Sequence, residues 1–437
     1  MLRALELKLT FLVACVFFRL LLDASYYLFV HPVFDYSGFG YDFTIFSYTL
    51  SWLIYFPSVV ITPHLLFKVS DYFLASFTLT ILAPLASFVG LSGVNAFPLI
   101  VTFLVFAFLR LFQHGTIFAQ VLPVPRILKI SQGRSLAVIF SILAVLVLVV
   151  WYFYSGAVRY FNLNPLKVYD FREASAELAS VGFMGYFNGW VYKVFSIFLI
   201  CYCLWKGKFF YFSLFLFVQI FFFGVSAHKG VLFYPFMILA IWFYFKRTRA
   251  IAVMPLGLSF IVGLGLVIFL TIDSILIGSL FIRRVFFVPA KLTFDYFQFF
   301  SINEFVWWGN SVLEGFQPYP YELSIPEVIG KFNGSNSSAN NGFISSGYAH
   351  AGLIGVAIYT FILTYFLKVL DSIVLNSDVP VWLALGMTIV PLRSALISSD
   401  LFTTLLTHGL ALSLLLLLLF RRSRYYSHSK GNRLKHV

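Results

Sequence analysis

Runs of about 20 apolar residues recur along the chain, and this spacing predicts helices long enough to cross a bilayer. Twelve runs stand out, at 9–30, 45–67, 71–91, 96–113, 135–155, 189–205, 209–225, 230–246, 251–273, 348–368, 380–398 and 401–420. Two polar intervals between them are too long for simple turns. The first, 156–188, has helix-forming composition over 172–178, which predicts a short surface helix. The second, 275–347, opens on an arginine pair in an aromatic setting (SLFIRRVFFVPAKLTFDYFQFFS). It passes through WWGNSVLEGFQPYPYE and ends in the polar run FNGSNSSANNG. Its portion 281–300 is too charged to span and too apolar to float free, so an interfacial or re-entrant helix bent near Pro289 is expected. A basic tail, 421–437, follows the last run. No internal repeat of usable period emerges, so an inverted-repeat transporter lacks support.

Composition agrees with the pattern. The chain is 61% hydrophobic and 11% charged, with a mean hydropathy of +0.92, more apolar surface than a water-soluble domain could cover. The expected fold class is an all-α polytopic integral membrane protein with about 12 transmembrane helices in a single membrane domain over 1–437. Aromatics exceed what two interfacial belts would hold, so many of the 56 Phe face lipid or pack between helices.

A net charge of +13 would raise the question of nucleic acid in a soluble protein. Here the basic residues fall mostly in short loops, as the positive-inside bias requires, and no nucleic acid partner is expected. Starting from a cytoplasmic N-terminus, the inside segments collect nineteen of the 30 Lys and Arg, among them Lys68, Arg110, Arg126 and Lys129. Both termini are therefore expected in the cytoplasm and both long loops outside. The N-terminal run has the basic flank of a signal peptide (Arg3, Lys8), but Arg19 and Asp23 interrupt it, so it reads as an uncleaved first span. Cys15, Cys201 and Cys203 all lie in apolar runs and give neither a disulfide frame nor a metal spacing.

Charges inside spans cost roughly 2.5–3.5 kcal/mol each on insertion scales, so each needs a partner or a task. Arg19 and Asp23 stand four apart and can neutralise each other. Lys193, near the outer end of its run, either snorkels to the interface or joins a site. Arg393 sits mid-run with Asp400 seven residues on, two turns along the same helical face, where the two would form part of a polar cavity wall.

Arg159, Lys167, Arg172, Lys229, Arg283, Arg284, Lys291 and Lys331 fall outside, against the topological bias. Guanidinium forks suit phosphate oxygens, and a lipid diphosphate is the natural anion at an outer leaflet; the plainer alternative is anchoring to headgroups. His228 caps a tight turn beside Lys229, either titrating near neutral pH or serving as a hydrogen-bonding filler. His350 sits where the large loop re-enters the membrane and is a candidate general base, while His408 lies inside the last run. Glu304, Glu314, Glu322 and Glu327 add carboxylates to the large loop. Asn333 and Asn336 match the glycosylation sequon. Trp307, Trp308, Tyr319 and Tyr321 suit either sugar stacking or the interfacial belt.

Four stretches taken in order, SAHKGVL, IRRVFFVPAKLTFDYFQFF, NNGFISSGYAHAGLIGV and RSALISSDLFTTLLTHGL, resemble the Wzy-type oligosaccharide repeat unit polymerases, the O-antigen polymerases of bacterial inner membranes. The layout of about twelve spans with two large loops is similar along nearly the whole chain. The resemblance implies a GT-C-related glycosyltransferase, without metal or cofactor, whose two large periplasmic loops contain interfacial helices. Its substrate would be undecaprenyl-diphosphate-linked oligosaccharide at the periplasmic face. A hydroxyl at the non-reducing end of one unit attacks the anomeric carbon of the growing chain, and undecaprenyl diphosphate leaves. The product would be an O-antigen, capsule or exopolysaccharide.

On this reading Arg283, Arg284, Arg172 and Lys229 bind the diphosphate or substrate, with Arg159 and Arg393 in reserve. His350 is the first candidate for the base and Asp400 the second. Arg172 with Gly182 approximates the arginine-and-glycine pattern of the family's periplasmic loops, at a different spacing. Membrane lipid, a chain-length regulator and a flippase are the implied partners. The nearest rival is an O-antigen ligase, but the region matching its His-centred motif reads ANNGF. A lipid-linked oligosaccharide flippase or other transporter would spread its polar groups across the bilayer, and a non-catalytic scaffold would tolerate loss of Arg283 and Arg284.

Overall fold

The computed structural model describes residues 2–114, 132–164, 168–311 and 313–422. Arg126, Lys129, Lys167 and the tail beyond Arg422 lie outside the described residues. Among those described the chain is helical, with no strand and one isolated bridge between Leu65 and Ala250. Among the described residues, eight helices are long and apolar enough to cross a membrane: Val69–Ser92, Phe97–His114, Gly133–Tyr154, Phe183–Lys206, Phe209–Ser226, Val253–Ile272, Phe343–Leu375 and Leu401–Phe420. Three shorter apolar helices, Ile45–Ile61, Lys229–Phe245 and Val381–Ile397, occupy further expected runs. The run expected at 9–30 falls on Leu2–Ser25 and its continuation Tyr26–Val30. The chain is thus a multi-pass helical membrane protein. Its helices stay apolar on their outer faces, where Phe210, Phe217 and Phe260 are largely exposed, as lipid contact allows.

The first helix shows how the fold accommodates a charge pair. Arg19 Nε–H donates to Asp23 Oδ1 at 2.9 Å, one turn along, as the spacing predicts. Asp23 also accepts from Ser87 at 2.6 Å and Tyr48 at 3.1 Å, and the Arg19 guanidinium lies 5.2 Å from the centre of the Trp52 ring. A fully buried guanidinium is tolerable only with such partners.

Within the single membrane domain expected, contacts gather the chain into two compact units. The first comprises Met1–Pro123, Arg249–Lys368 and Ala395–Leu401. The second comprises Val124–Thr248, Val369–Ser394 and Phe402–Val437.

The second long loop belongs to the first unit. A π-helical segment, Ser279–Phe287, runs directly into the helix Val288–Phe300, with Pro289 in the first α turn. Near Pro289, where a bend is expected from the sequence, the winding changes from π to α. The following chain is tied back onto that helix: Tyr296 donates to the Ala339 carbonyl at 3.0 Å, and the Asn341 amide donates to Pro289 O and Thr293 Oγ1. Lys291 donates to both oxygens of Asp295 at 2.9 Å, which also takes a bond from the Asn333 amide at 2.8 Å. Lys291 is therefore neutralised by its i,i+4 partner, and the Asn333 nitrogen is committed within the fold.

In the second unit the first long loop folds into the helix Val168–Ala179, longer than the 172–178 expected. Ser175 donates to the Val225 carbonyl at 2.6 Å, and the Ala179 carbonyl accepts from Trp151 and Asn188. These bonds fix the helix against the end of Phe209–Ser226.

Candidate functional site

Two clusters of polar groups stand out, one in each unit. In the first unit the helix Phe343–Leu375 is interrupted at Ala351 and Gly352, where Gly352 has φ 58° and ψ −139°. The break leaves the His350 and Ala349 carbonyls without helical partners, and the N–H groups of Trp307 and Val306 take them at 2.9 and 3.1 Å. Trp307 and Trp308 both hold left-handed backbone (φ 49° and 59°), a strained arrangement for bulky residues. The result lays the Trp308 indole flat on the His350 imidazole, with centroids 5.2 Å apart and planes at 12°.

The Trp308 backbone N–H faces His350 Nδ1 at 3.3 Å, so Nδ1 is the acceptor and the ring hydrogen sits on Nε2. Nε2 in turn lies 3.3 Å from Asp400 Oδ2. Tyr359 donates to the same oxygen at 2.6 Å and accepts from Trp308 Nε1 at 2.9 Å. Two donors thus converge on one carboxylate oxygen. The His350 side chain is 2% exposed and that of Asp400 21%. Asp400 is the member of the pair that solvent or a ligand can reach.

In the second unit a cavity of about 280 Å³ is lined by Arg172, Lys193, Lys229, His228, Tyr192 and Tyr234, together with Ala227, Gly230 and Val231. No carboxylate lines it among the described residues. Arg172 comes from the loop helix, Lys193 from the π-wound turn Val191–Phe195 of its span, and His228 and Lys229 from the start of Lys229–Phe245. Lys193 Nζ lies 2.7 Å from His408 Nδ1. An ammonium has only hydrogens to give, so Nδ1 accepts and His408 carries its proton on Nε2. Burial, with the charges of Arg172 and Lys193, pushes His228 down to about 4, so its ring is neutral at pH 7. Arg393 is close enough for its charge to act on the Tyr234 hydroxyl. Such a cavity favours a compact anion with several acceptor oxygens.

Of the residues expected to bind substrate, the fold brings Arg172 and Lys229 together in this cavity and sets Arg393 in electrostatic reach of its wall. Arg159 is exposed in the short helix Ala157–Tyr160, apart from the lining. Arg393 is exposed, and the helix Val381–Ile397 ends before Asp400, so the two do not share a helical face as expected. Arg283 is half-buried, its guanidinium 4.3 Å from the Phe34 ring centre and 5.7 Å from that of Phe39, and its buried Nε has no hydrogen-bond partner among the described residues. Arg284 beside it is exposed. Gly182 holds φ 53° at the start of Phe183–Trp190, a backbone reason for glycine there.

Tyr192 and Tyr234 carry no sequence signal beyond aromatic richness. Lys193 did carry one, an intramembrane charge, with His228 and Lys229 marking the turn it meets. Compared with protein families, curated proteins and solved structures, the chain matches none.

Proposed function

We propose that this protein is a membrane glycosyltransferase that polymerises undecaprenyl-diphosphate-linked oligosaccharide repeat units into a surface polysaccharide at the periplasmic face of a bacterial inner membrane. The observation that carries the reading is the cavity of the second unit, where Arg172, Lys193 and Lys229 line one space. A departing lipid diphosphate develops negative charge as the glycosidic bond breaks, and fixed cations at that position lower the barrier. Neutral His228 and the hydroxyls of Tyr192 and Tyr234 add hydrogen bonds to the anion. Eight helices long and apolar enough to cross a membrane, with three shorter apolar ones, among the described residues support a multi-pass protein; a GT-C-related architecture with cytoplasmic termini is part of the proposal.

The acceptor hydroxyl needs a base, and Asp400 is better suited than His350. Both ring nitrogens of His350 are engaged and the ring is buried, so it orients and polarises the carboxylate. The Asp400 carboxylate is the more accessible of the two. Arg283, held against Phe34 and Phe39, is a second cation for the carrier lipid, with Arg284 exposed beside it.

The test is polysaccharide length in a strain lacking this protein, complemented with wild type or Arg172→Ala/Lys229→Ala at matched membrane levels. Single repeat units in the deletion, restored to long chains by wild type and not by the variant, support the reading. Long polymer stranded on the lipid carrier in the deletion would identify a ligase instead.

A further inference from the structure

The first unit holds a second cationic cavity that the proposed chemistry does not use. It measures about 870 Å³ and opens at the start of the first helix, between the end of Ile45–Ile61 and the end of Phe97–His114. Lys8, Lys68, Arg110 and His114 line it, with Asp71 as the one carboxylate.

Asp71 commits its Oδ2 to hydrogen bonds, while its charge also acts on Arg110. It accepts from the backbone N–H groups of Phe67 and Lys68 at 2.8 Å each, capping its own helix, and lies 2.9 Å from His114 Nε2. Lys68 reaches the Gln113 carbonyl at 3.0 Å. Arg110 uses only Nε, on the Ile61 carbonyl at 2.6 Å, so its two terminal nitrogens have no partner among the described residues. Lys8 is close enough that its charge acts on His64, another lining residue. The cavity thus presents a guanidinium fork, two ammonium groups and two histidines against one carboxylate among the described residues.

Its position is set by the first helix. Lys8 stands at one end, while Phe34, 26 residues on, touches Arg283 at the other. At 1.5 Å per residue the two ends are roughly 39 Å apart, more than a hydrocarbon core of about 30 Å. The cavity therefore lies at the membrane face opposite Arg283, the face that the basic bias assigns to the cytoplasm. Its rim is apolar: Phe67, Leu111 and Ile61 are exposed beside the cations. A soluble anion would gain nothing from that rim, whereas an amphiphile would use both surfaces.

We propose that this cavity is a binding site for the headgroup of an anionic phospholipid, with its acyl chains along Phe67 and Leu111. Arg110 takes phosphate oxygens through its terminal nitrogens, and Lys8 adds charge at the rim.

The experiment is native mass spectrometry of the full-length protein loaded with phosphatidylglycerol or phosphatidylcholine. Wild type is expected to retain phosphatidylglycerol in preference, and Arg110→Gln/Lys8→Gln to retain roughly tenfold less, as loss of one charge-assisted phosphate contact implies. Arg110→Lys/Lys8→Arg, which keeps the charges, is expected to recover most of that retention and separates charge loss from misfolding. Equal retention of the two lipids, or unchanged retention by the glutamine variant, would overturn the proposal. Displacement of phosphatidylglycerol by millimolar inorganic phosphate would also overturn it, making the site one for soluble phosphate.

Discussion

His350 and Asp400, fifty residues apart in the chain, meet with Nε2 3.3 Å from Oδ2, and Tyr359 closes on the same oxygen at 2.6 Å. The arrangement gives the two residues unequal tasks. Asp400→Asn removes the only strong base of the cluster and should lower kcat by about 10²–10⁴-fold with little change in KM. His350→Gln keeps an N–H donor for the carboxylate and should cost no more than about tenfold. Steady-state rates of the purified variants check this; a His350→Gln defect as deep as that of Asp400→Asn would make the imidazole the base.

The break beneath His350 depends on Gly352. Alanine there must adopt φ 58° and ψ −139°, and its Cβ would sit 3.0 Å from the Phe305 ring. Gly352→Ala should destabilise the protein by about 1–3 kcal/mol. The measurement is thermal unfolding in one detergent; an unchanged melting temperature would mean the break is not under strain.

Arg19 is held by Asp23 in a fully buried setting. Arg19→Met strands the carboxylate and should cost about 3–5 kcal/mol, whereas Arg19→Met/Asp23→Leu should regain most of it. Melting temperatures of the single and double variants decide the matter. A double variant no more stable than the single one would show that Asp23 draws its support from Ser87 and Tyr48 alone.

The spans, the Arg19–Asp23 pair and the surface helix around Arg172 were legible because each is local, written in periodicity or i,i+4 spacing. Lys291 with Asp295 obeys the same spacing and yet read as an open cation, since eight outside basic residues drew attention as a set. His350 and Asp400 were each named, but their meeting depends on a helix break and on two left-handed tryptophans that no periodicity encodes. Arg393 and Asp400 failed in the opposite way. Seven residues equal two turns only if the helix continues, and it ends at Ile397. Lys193 was legible as an intramembrane charge, but its position near a span end left snorkelling and a place in a site equally open.

The anion cavity should couple to protons. Burial, with the charges of Arg172 and Lys193, depresses His228 to about 4. A bound diphosphate raises it, so binding takes up a proton and the affinity for pyrophosphate should rise as pH falls from about 7 towards about 5. Calorimetry at pH 6 in buffers of different ionisation enthalpy reads the uptake directly. Binding without proton uptake, or the same pH slope in His228→Asn, would remove His228 from the site.

The most direct test of the central claim uses purified protein in lipid nanodiscs with an undecaprenyl-diphosphate-linked repeat unit as the sole substrate. Wild type should release undecaprenyl diphosphate in step with the appearance of carrier-linked dimers and longer chains. Arg172→Ala/Lys229→Ala should lose both products together. Wild-type protein of demonstrated folding that yields neither undecaprenyl diphosphate nor elongated chains would contradict the polymerase reading.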